Sequence, residues 1–536
     1  MINNRKKIIT SFIIVIIALQ SFSQSSEKLV FTIKLDDTVQ RIRNIGASGC
    51  WYSEEMGATW PEAKKKKIAE LLFSRDLDSK GQPKGIGLSA FRYNIGAGTA
   101  EQGDSSGIDD PARRVECFLS PDGSYHWNKQ KGYTWMLQQA KNYGVENLIA
   151  FVNSPPVQFT KNGLGFKLEK DFISNLKEDK YADYANFLTE VINHFDKENL
   201  HFNYISPVNE PQWDWSGVYG NAKQEGSPWT NTEIFNTVTA LSKSLAQKKV
   251  NTKIIMPEAG TLEHLFGSTG KASKQVADFR NPESPLYTGG MNNTTSFIEG
   301  HGYFTDYGDE QLITTRSRLR DTLKKYGPGL EYWQSEYCML GDGYKENTKE
   351  KRRSAIDCAL FLAKVIHHDF TVGNATAWHY WNSYEPGPSD SNTLYYLISL
   401  NRNRMNHDTN DLFTVTKNLW ALGHYSLFVR PGMYRVETNR SDNMNDIAAA
   451  QQLMISAFRD EKKQRVIVNV INYTNEERKA NFVLKGLDKG KSWKLVSHFI
   501  TSSKEGDDMK PYPVNKKSTD NSLPARSINT FIFLEK

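Results

Sequence analysis

Glu210 lies in Ser206-Pro207-Val208-Asn209-Glu210-Pro211, directly after an apolar run and just before Trp213 and Trp215. Glu336 ends a second run, Tyr332-Trp333-Gln334-Ser335-Glu336. Two carboxyl groups facing each other across a pocket suit cleavage of a glycosidic bond. One holds a proton to release the leaving oxygen, and the other is ionised to attack the anomeric carbon. Each raises the other's cost of ionising, which helps one of them keep its proton near neutral pH. An isolated glutamate at a strand end is more often an ion-pair partner. The Asn-Glu-Pro setting, the tryptophan flank and the matching second glutamate favour chemistry here. Other chemistries find less support. The 11 histidines are scattered and the adjacent pair His367-His368 falls near a helix end, so a zinc site is poorly supported. There is no Gly-x-Ser-x-Gly elbow and no Walker-type loop. Neither a cofactor nor a metal is expected.

These glutamates are far apart in sequence, so a closed architecture has to bring them together. Short apolar runs read as strands at Ile45 to Gly49, Gly87 to Ile95, Leu148 to Asn153, Phe202 to Val208, Lys253 to Met256, Phe297 to Tyr303, Leu330 to Ser335 and Ala375 to Trp381. Amphipathic stretches fall between them; the clearest, Lys180 to Lys197, carries an apolar face at 3.6 periodicity with Asp179 placed to cap it. The unit after Met256 is the weakest, with Gly267 to Gly290 reading as long loop with little helix. Strand–helix units in series predict an α/β chain, a (β/α)8 TIM barrel over residues 44–428. An open doubly wound sheet is the rival, but Gly46-Ala47-Ser48-Gly49 does not match the glycine-rich turn that such a sheet places after its first strand. The C-terminal strand ends of a barrel, where reacting groups sit, collect Ser48, Arg92, Asn94, Asn153, Asn209, Glu210, Glu258, His301, Tyr303, Glu336, Trp378, His379 and Trp381. After Phe428 the pattern changes to short strands with polar turns, which predicts a β-sandwich over 429–536. Residues 24–43 include the strand-like Leu29 to Lys34, expected to pair into that sandwich, so that both termini build it.

The N-terminus has Arg5-Lys6-Lys7, an apolar run from Ile8 to Leu19 and the small residues Ser21 and Ser23, the pattern of a cleavable signal peptide over 1–23. The run is shorter than the roughly 20 residues that span a bilayer. A secreted, periplasmic or cell-surface protein is expected, with no membrane span after cleavage. The whole 536-residue chain carries +6, and the segment holds Arg5, Lys6 and Lys7 and no acid, which leaves 6 − 3 = +3. That removes most of the case for a nucleic-acid partner. The basic run Lys64 to Lys67 reads as a solvated helix face. Four cysteines are too few for a disulfide scaffold and read as buried thiols. An aromatic share of 12% points instead to flat binding surfaces.

Taken in order along the chain, several segments resemble glycoside hydrolase family 30. They are Gly46-Ala47-Ser48, Phe91-Arg92-Tyr93-Asn94-Ile95-Gly96, Asn153-Ser154-Pro155-Pro156, Asn209-Glu210-Pro211, His301-Gly302-Tyr303, Ser335-Glu336 and Phe428-Val429-Arg430-Pro431-Gly432. The resemblance implies a barrel with a side β-sandwich and a retaining double displacement, with Glu210 as acid/base and Glu336 as nucleophile. It further implies that Asn209 bonds the sugar 2-OH, that Arg92 favours the ionised form of Glu336, and that Asn153, His301, Tyr303, Trp378 and Trp381 line the substrate site. Glu258 is expected to support the pair rather than react. The substrate implied is an oligo- or polysaccharide. Val157-Gln158-Phe159 follows Pro156 where many relatives carry an aromatic pair, so the sugar does not follow from the family at large. The pattern, including Ser216-Gly217-Val218-Tyr219-Gly220-Asn221, looks most like the endo-β-1,6-galactanase branch. A β-1,6-glucanase, a glucosylceramidase-like enzyme or an exo-β-glycosidase would share the catalytic pair. A glycan-binding surface protein without activity is the alternative from another class, and retention of both glutamates with Asn209 and Arg92 counts against it.

Overall fold

Each strand that enters the barrel is a short apolar run buried on both faces, the pattern that parallel sheets require. In the computed structural model, which describes residues 29–267, 270–346, 348, 350, 352–401, 412–486, 492–514 and 520–536, these runs form a parallel ring. After β1 (Leu29–Arg41) the ring comprises β2 (Asn44–Ser48), β3 (Ala90–Asn94), β4 (Asn147–Phe151), β5 (Tyr204–Ser206), β6 (Lys253–Ile254), β7 (Phe297–His301), β8 (Glu331–Tyr337) and β9 (Ala375–Pro386). Adjacent members pair in parallel from β2 to β6 and from β7 through β8 and β9 back to β2. The join between β6 and β7 is looser, carried by the isolated bridges Ile254–Thr294 and Ala259–Gly300.

The ring is filled with side chains. Ala90, Ile149, Ile255, Phe297, Trp333 and Ala377 form an interior layer, with Phe297 stacked on Trp333 at 4.8 Å. Arg43 lies over the Phe297 ring and pairs with Glu331. Outside the ring, helices bury their apolar stripes against it. Tyr184, Leu188, Val191, Ile192 and Phe195 form the buried face of helix Tyr181–Lys197. Asp179 does not cap that helix; it falls in the turn Glu178–Lys180, and Lys180 takes the cap position. Helix Asn231–Gln247 has the reciprocal Thr230–Glu233 capping box. Within the stretch expected as loop after Gly267 the chain forms a short helix, Gln275–Arg280. Of the Lys64–Lys67 run, Lys65 is buried, with its Nζ donating to the Gly57 carbonyl and lying 4.5 Å over the Trp135 ring.

Two strands absent from the sequence reading, β10 (Tyr396–Leu400) and β11 (Phe413–Val415), extend the barrel sheet beyond β9. The remaining strands are β12 (Tyr434–Arg440), β13 (Leu453–Asp460), β14 (Arg465–Asn472), β15 (Arg478–Lys485), β16 (Trp493–Thr501), β17 (Lys510–Tyr512), β18 (Asn521–Leu523) and β19 (Ser527–Glu535). They form a nine-stranded sheet in the order β17-β16-β19-β14-β13-β12-β1-β15-β18. β1 sits inside it, antiparallel to β12 and parallel to β15, so both ends of the described chain build this domain. The sheet curls on itself: Phe482 of β15 meets Phe531 of β19 at 4.9 Å, over a core that includes Ile33, Val468 and Val470. Its other face, with Met454, Phe458, Ile467 and Ile532, joins the large core outside the barrel ring. The signal-peptide reading concerns residues outside those described. Among the described residues no helix is long and apolar enough to cross a membrane.

Candidate active site

The turns after β5 and β6 and the C-terminal ends of β7 and β8 carry Glu210, Glu258, His301 and Glu336 to one buried cluster at the C-terminal end of the ring. His301 is its centre. Its Nδ1 donates to Glu210 Oε1 at 3.0 Å and lies 3.4 Å from Glu336 Oε1, and its Nε2 donates to Glu258 Oε2 at 3.1 Å. Arg92 Nη1 donates to Glu336 Oε2 at 2.7 Å, and Nη2 stands 3.6 Å from Glu258 Oε1. The Tyr303 hydroxyl donates to Glu336 Oε1 at 2.8 Å, and the Ser335 hydroxyl donates to Glu258. A carboxylate oxygen of Glu210 and one of Glu336 lie within 4.8 Å of each other.

Burial pushes the Glu210 carboxyl up, and the nearby negative Glu336 adds to it, against the opposing pull of His301. Glu258 is buried too, but Arg92 and His301 outweigh desolvation and hold it down at about 2. Burial by itself would lower His301; Glu336, Glu210 and Glu258 reverse this and raise it to about 10. His301 is therefore an imidazolium with both ring nitrogens donating. With Glu210 protonated, the carboxylates of Glu258 and Glu336 face two cations, Arg92 and His301, and the buried charge cancels. Glu210, His301 and Glu336 have the spacing of a metal-binding set. A protonated imidazole has no lone pair to offer a cation, so this state does not suit a metal.

Local irregularities aim these groups. Opposite Gly300-His301 of β7, β8 presents Gln334 and then Glu336, so Ser335 is the extra residue of a bulge. A bulge breaks strict alternation, which allows the consecutive Ser335 and Glu336 both to serve the cluster. A similar shift between β2 and β9 falls at Trp381. Glu210 and Glu258 have left-handed φ of 43° and 53°, costly for a residue with a Cβ and a conformation that recurs at functional sites. The Glu210 N–H donates to the Glu258 carbonyl at 2.9 Å, tying these two turns together.

Above the cluster opens a cavity of about 560 Å³ lined by Glu210, Glu336, Asn209, Tyr303 and Trp381. Asn209 donates to Asn153 Oδ1 at 3.2 Å and leaves its own Oδ1 unpaired. Asn153 stands behind it, donating to Asn94 Oδ1 at 3.4 Å; it orients Asn209 and does not line the cavity, contrary to the substrate contact expected of it. Arg92 and His301 are likewise fully buried beneath the carboxylates, so their part is electrostatic. Trp378 needs outright correction. On β9, Ala377 enters the barrel interior, and period-two alternation turns Trp378 to the helix side, where its Nε1 donates to Asp369 at 2.8 Å. It cannot reach the cavity.

The cavity also holds residues that the sequence reading missed: Trp51, Arg113, Glu385 and Tyr395. Trp51 meets Trp381 edge-on at 5.2 Å, and the Arg113 guanidinium lies 4.2 Å over the Trp51 ring. Burial raises Glu385 to about 7, against the nearby Arg113 charge and an Asn382 Nδ2 donor at 2.8 Å. Trp51 and Glu385 sit just past or late in barrel strands, a signal that was available. Arg113 comes from a loop with no pattern to mark it.

Known proteins agree with this architecture. The model of O-glycosyl hydrolase family 30 matches residues 28–396. The chain is 24% identical to glucuronoxylanase XynC of Bacillus subtilis over 368 residues, 67% of each protein. A conserved exported protein from Bacteroides fragilis superposes with a TM-score of 0.84 at 32% identity, covering 94% of this chain and all of that one. An endo-β1,6-glucanase shares the fold at a TM-score of 0.61 and 16% identity, over 95% of this chain and 94% of its own. With the family match spanning more than half its length and a barrel that gathers its carboxylates at the C-terminal rim, this chain belongs to O-glycosyl hydrolase family 30 and is a glycoside hydrolase.

Proposed function

We propose that the protein is a retaining endo-β-glycanase in which Glu336 is the nucleophile and Glu210 the general acid/base, and that its substrate is a β-1,6-linked galactan. The observation that carries the mechanism is the separation of the pair. Oxygens within 4.8 Å suit the roughly 5–5.5 Å spacing of retaining enzymes and leave no room for the water that an inverting enzyme holds between carboxyls about 6.5–9.5 Å apart. The roles follow from the surroundings. Glu336 receives Arg92 and Tyr303 as donors, which fix its carboxyl group in position to attack the anomeric carbon. Glu210 is driven towards its protonated form by burial and by the neighbouring negative charge, so it can donate to the leaving oxygen. Once Glu336 has been consumed in the glycosyl–enzyme ester, its charge is gone. Glu210, ionised by donating its proton, then accepts one from the water that hydrolyses the ester. The unpaired Oδ1 of Asn209 is placed to accept from a sugar hydroxyl, and Trp381 offers a ring face.

The galactan reading rests on the Ser216–Asn221 segment and the order of motifs. Xylan is the second reading, favoured by the glucuronoxylanase relative at 24% identity. Export is part of the proposal, supported by the apolar N-terminal segment and by the exported Bacteroides relative. The test is hydrolysis of β-1,3-, β-1,4- and β-1,6-linked galactans and glucans and of glucuronoxylan, with the anomer of the first product followed by NMR. Release of β-anomers from β-1,6-galactan is expected, and Glu336→Gln should lower turnover by at least about a thousandfold. Initial release of the α-anomer, or undiminished turnover in Glu336→Gln, would overturn the mechanism; preference for another polymer would overturn the substrate.

A further inference from the structure

Beside the catalytic cavity lies a larger one, about 770 Å³, and the two share Trp213, Trp215 and Gln224 as walls. The shared tryptophans belong to the turn that carries Glu210: Trp215 Nε1 donates to the Glu210 carbonyl at 3.1 Å. The second cavity therefore opens from the side of Glu210. If Glu210 is the acid, the glycosidic oxygen that it protonates joins the departing sugar, and the departing chain must leave past Glu210.

We propose that this groove binds the reducing-end units of the polymer, the part that departs in the first step, and that uncharged hexosyl residues fill it. The inference rests on the assignment of Glu210 as acid. Three features support it. The groove is continuous with the catalytic cavity and is walled by aromatic rings, Trp213, Trp215 and Phe172, which suit the apolar faces of sugars. Its charges nearly balance: Lys223 pairs with Asp109 at 2.5 Å, and the remaining charged lining residues, Lys271 and Asp214, are one of each sign. A groove without net charge gives an acidic sugar no advantage over a neutral one. Finally, the exposed apolar residues Leu168, Ile173, Val218 and Tyr219 lie in the same two segments, 166–173 and 213–224, that wall the groove. Tyr219 ties the second segment down by donating to the Ser105 carbonyl at 3.1 Å. Such a rim suits a long ligand better than a single sugar.

The test uses the full-length enzyme, the polymer hydrolysed in the linkage panel, its oligosaccharides of increasing length, and the β-fluoride of its monosaccharide, whose leaving group fills no sugar site. Units added on the reducing-end side should raise kcat/KM by about tenfold or more in sum, the scale of burying one ring. Phe172→Ala, and Asn221→Trp as an obstruction, should each lower the ratio of kcat/KM on polymer to that on fluoride by about tenfold. A misfolded variant lowers both activities and leaves the ratio alone, and the wild-type length series does not depend on any variant. No gain with length, together with an unchanged ratio, overturns the groove while the catalytic reading stands. No hydrolysis of any polymer overturns the catalytic reading and this inference with it.

Discussion

At the scale of single residues, the site is a problem of one proton too few for three carboxyls and two cations. Arg92 and His301 lie against Glu258 and Glu336, and burial favours the protonated form of Glu210. If Glu210 is the acid as proposed, the basic limb of the kcat/KM–pH profile should lie above the ordinary carboxylate range, because burial raises its pKa. Glu210→Ala should abolish that limb and lose far more rate on a sugar leaving group than on a dinitrophenyl group, which departs without a proton. An unchanged limb would show that another group is the acid. Glu258 is the quieter member. Held at about 2, it stays ionised through the working range and keeps His301 charged. Glu258→Gln should lower kcat by about ten- to a hundredfold while leaving KM nearly unchanged. A selective rise in KM would instead place Glu258 in contact with sugar.

The elements hold these residues by packing and by buried hydrogen bonds. Trp333 of β8 stacks on Phe297 and meets Tyr204 edge-on at 4.9 Å, so it fixes the strand that carries Glu336. Trp333→Ala should cost about 3–5 kcal/mol of stability, read from denaturant midpoints. A loss below about 1 kcal/mol would mean that the barrel interior repacks freely. The loop after β3 is held by Glu225, which is buried and accepts from the Ala97 N–H and the Thr99 hydroxyl. Burial raises this carboxyl to about 8 from an ordinary 4.5. Below pH 4.5 it is protonated in both folded and unfolded chains and has no effect. Between 4.5 and about 8 the unfolded chain is ionised while the folded one keeps its proton, so stability falls as pH rises across that window. Glu225→Gln cannot ionise. Its Tm should exceed that of the wild type at pH 8, and the difference should vanish near pH 4. A gain of equal size at both values would remove the ionisation argument.

At the scale of the whole molecule, the β domain is a structural partner of the barrel. β1 runs through the middle of the nine-stranded sheet before the chain enters β2, so the two domains are joined at both ends of the barrel. Lys364, fully buried on a barrel helix, pairs with Asp309 at 2.9 Å and Glu346 at 2.6 Å and lies 3.9 Å from the Tyr473 ring centre in the β domain. Arg526 of the β domain pairs with Asp357, and His424 bonds Thr530 and Thr501 at 2.7 and 2.9 Å. Severing such a joint would expose the apolar face of helix Ala355–Thr371 and strand buried charges. A chain ending at Phe428 should fail to give a soluble protein with cooperative unfolding. A soluble, active truncation would show that the barrel folds alone.

Short apolar runs mark the barrel strands, 3.6 periodicity marks most of the outer helices, and short strands with polar turns mark the change after Phe428, because each is a local pattern of apolar residues. The two glutamates are legible for a related reason: strand ends in a barrel converge, so chemistry-bearing residues at those ends meet. What sequence could not decide is which of a strand's two alternating faces turns into the barrel, or where a bulge interrupts the alternation. Trp378 looked equal to Trp381, yet one turns to the helices and the other to the cavity. Asn153 looked like a sugar contact, yet it serves Asn209 from behind. Arg113 joins the site from a loop of no regular pattern, and Glu385 owes its pKa to burial that only the folded chain creates. The types of residue and the order of elements follow from local repetition. Desolvation, charge balance and the direction of each side chain depend on neighbours distant in sequence, and the tertiary structure alone decided them.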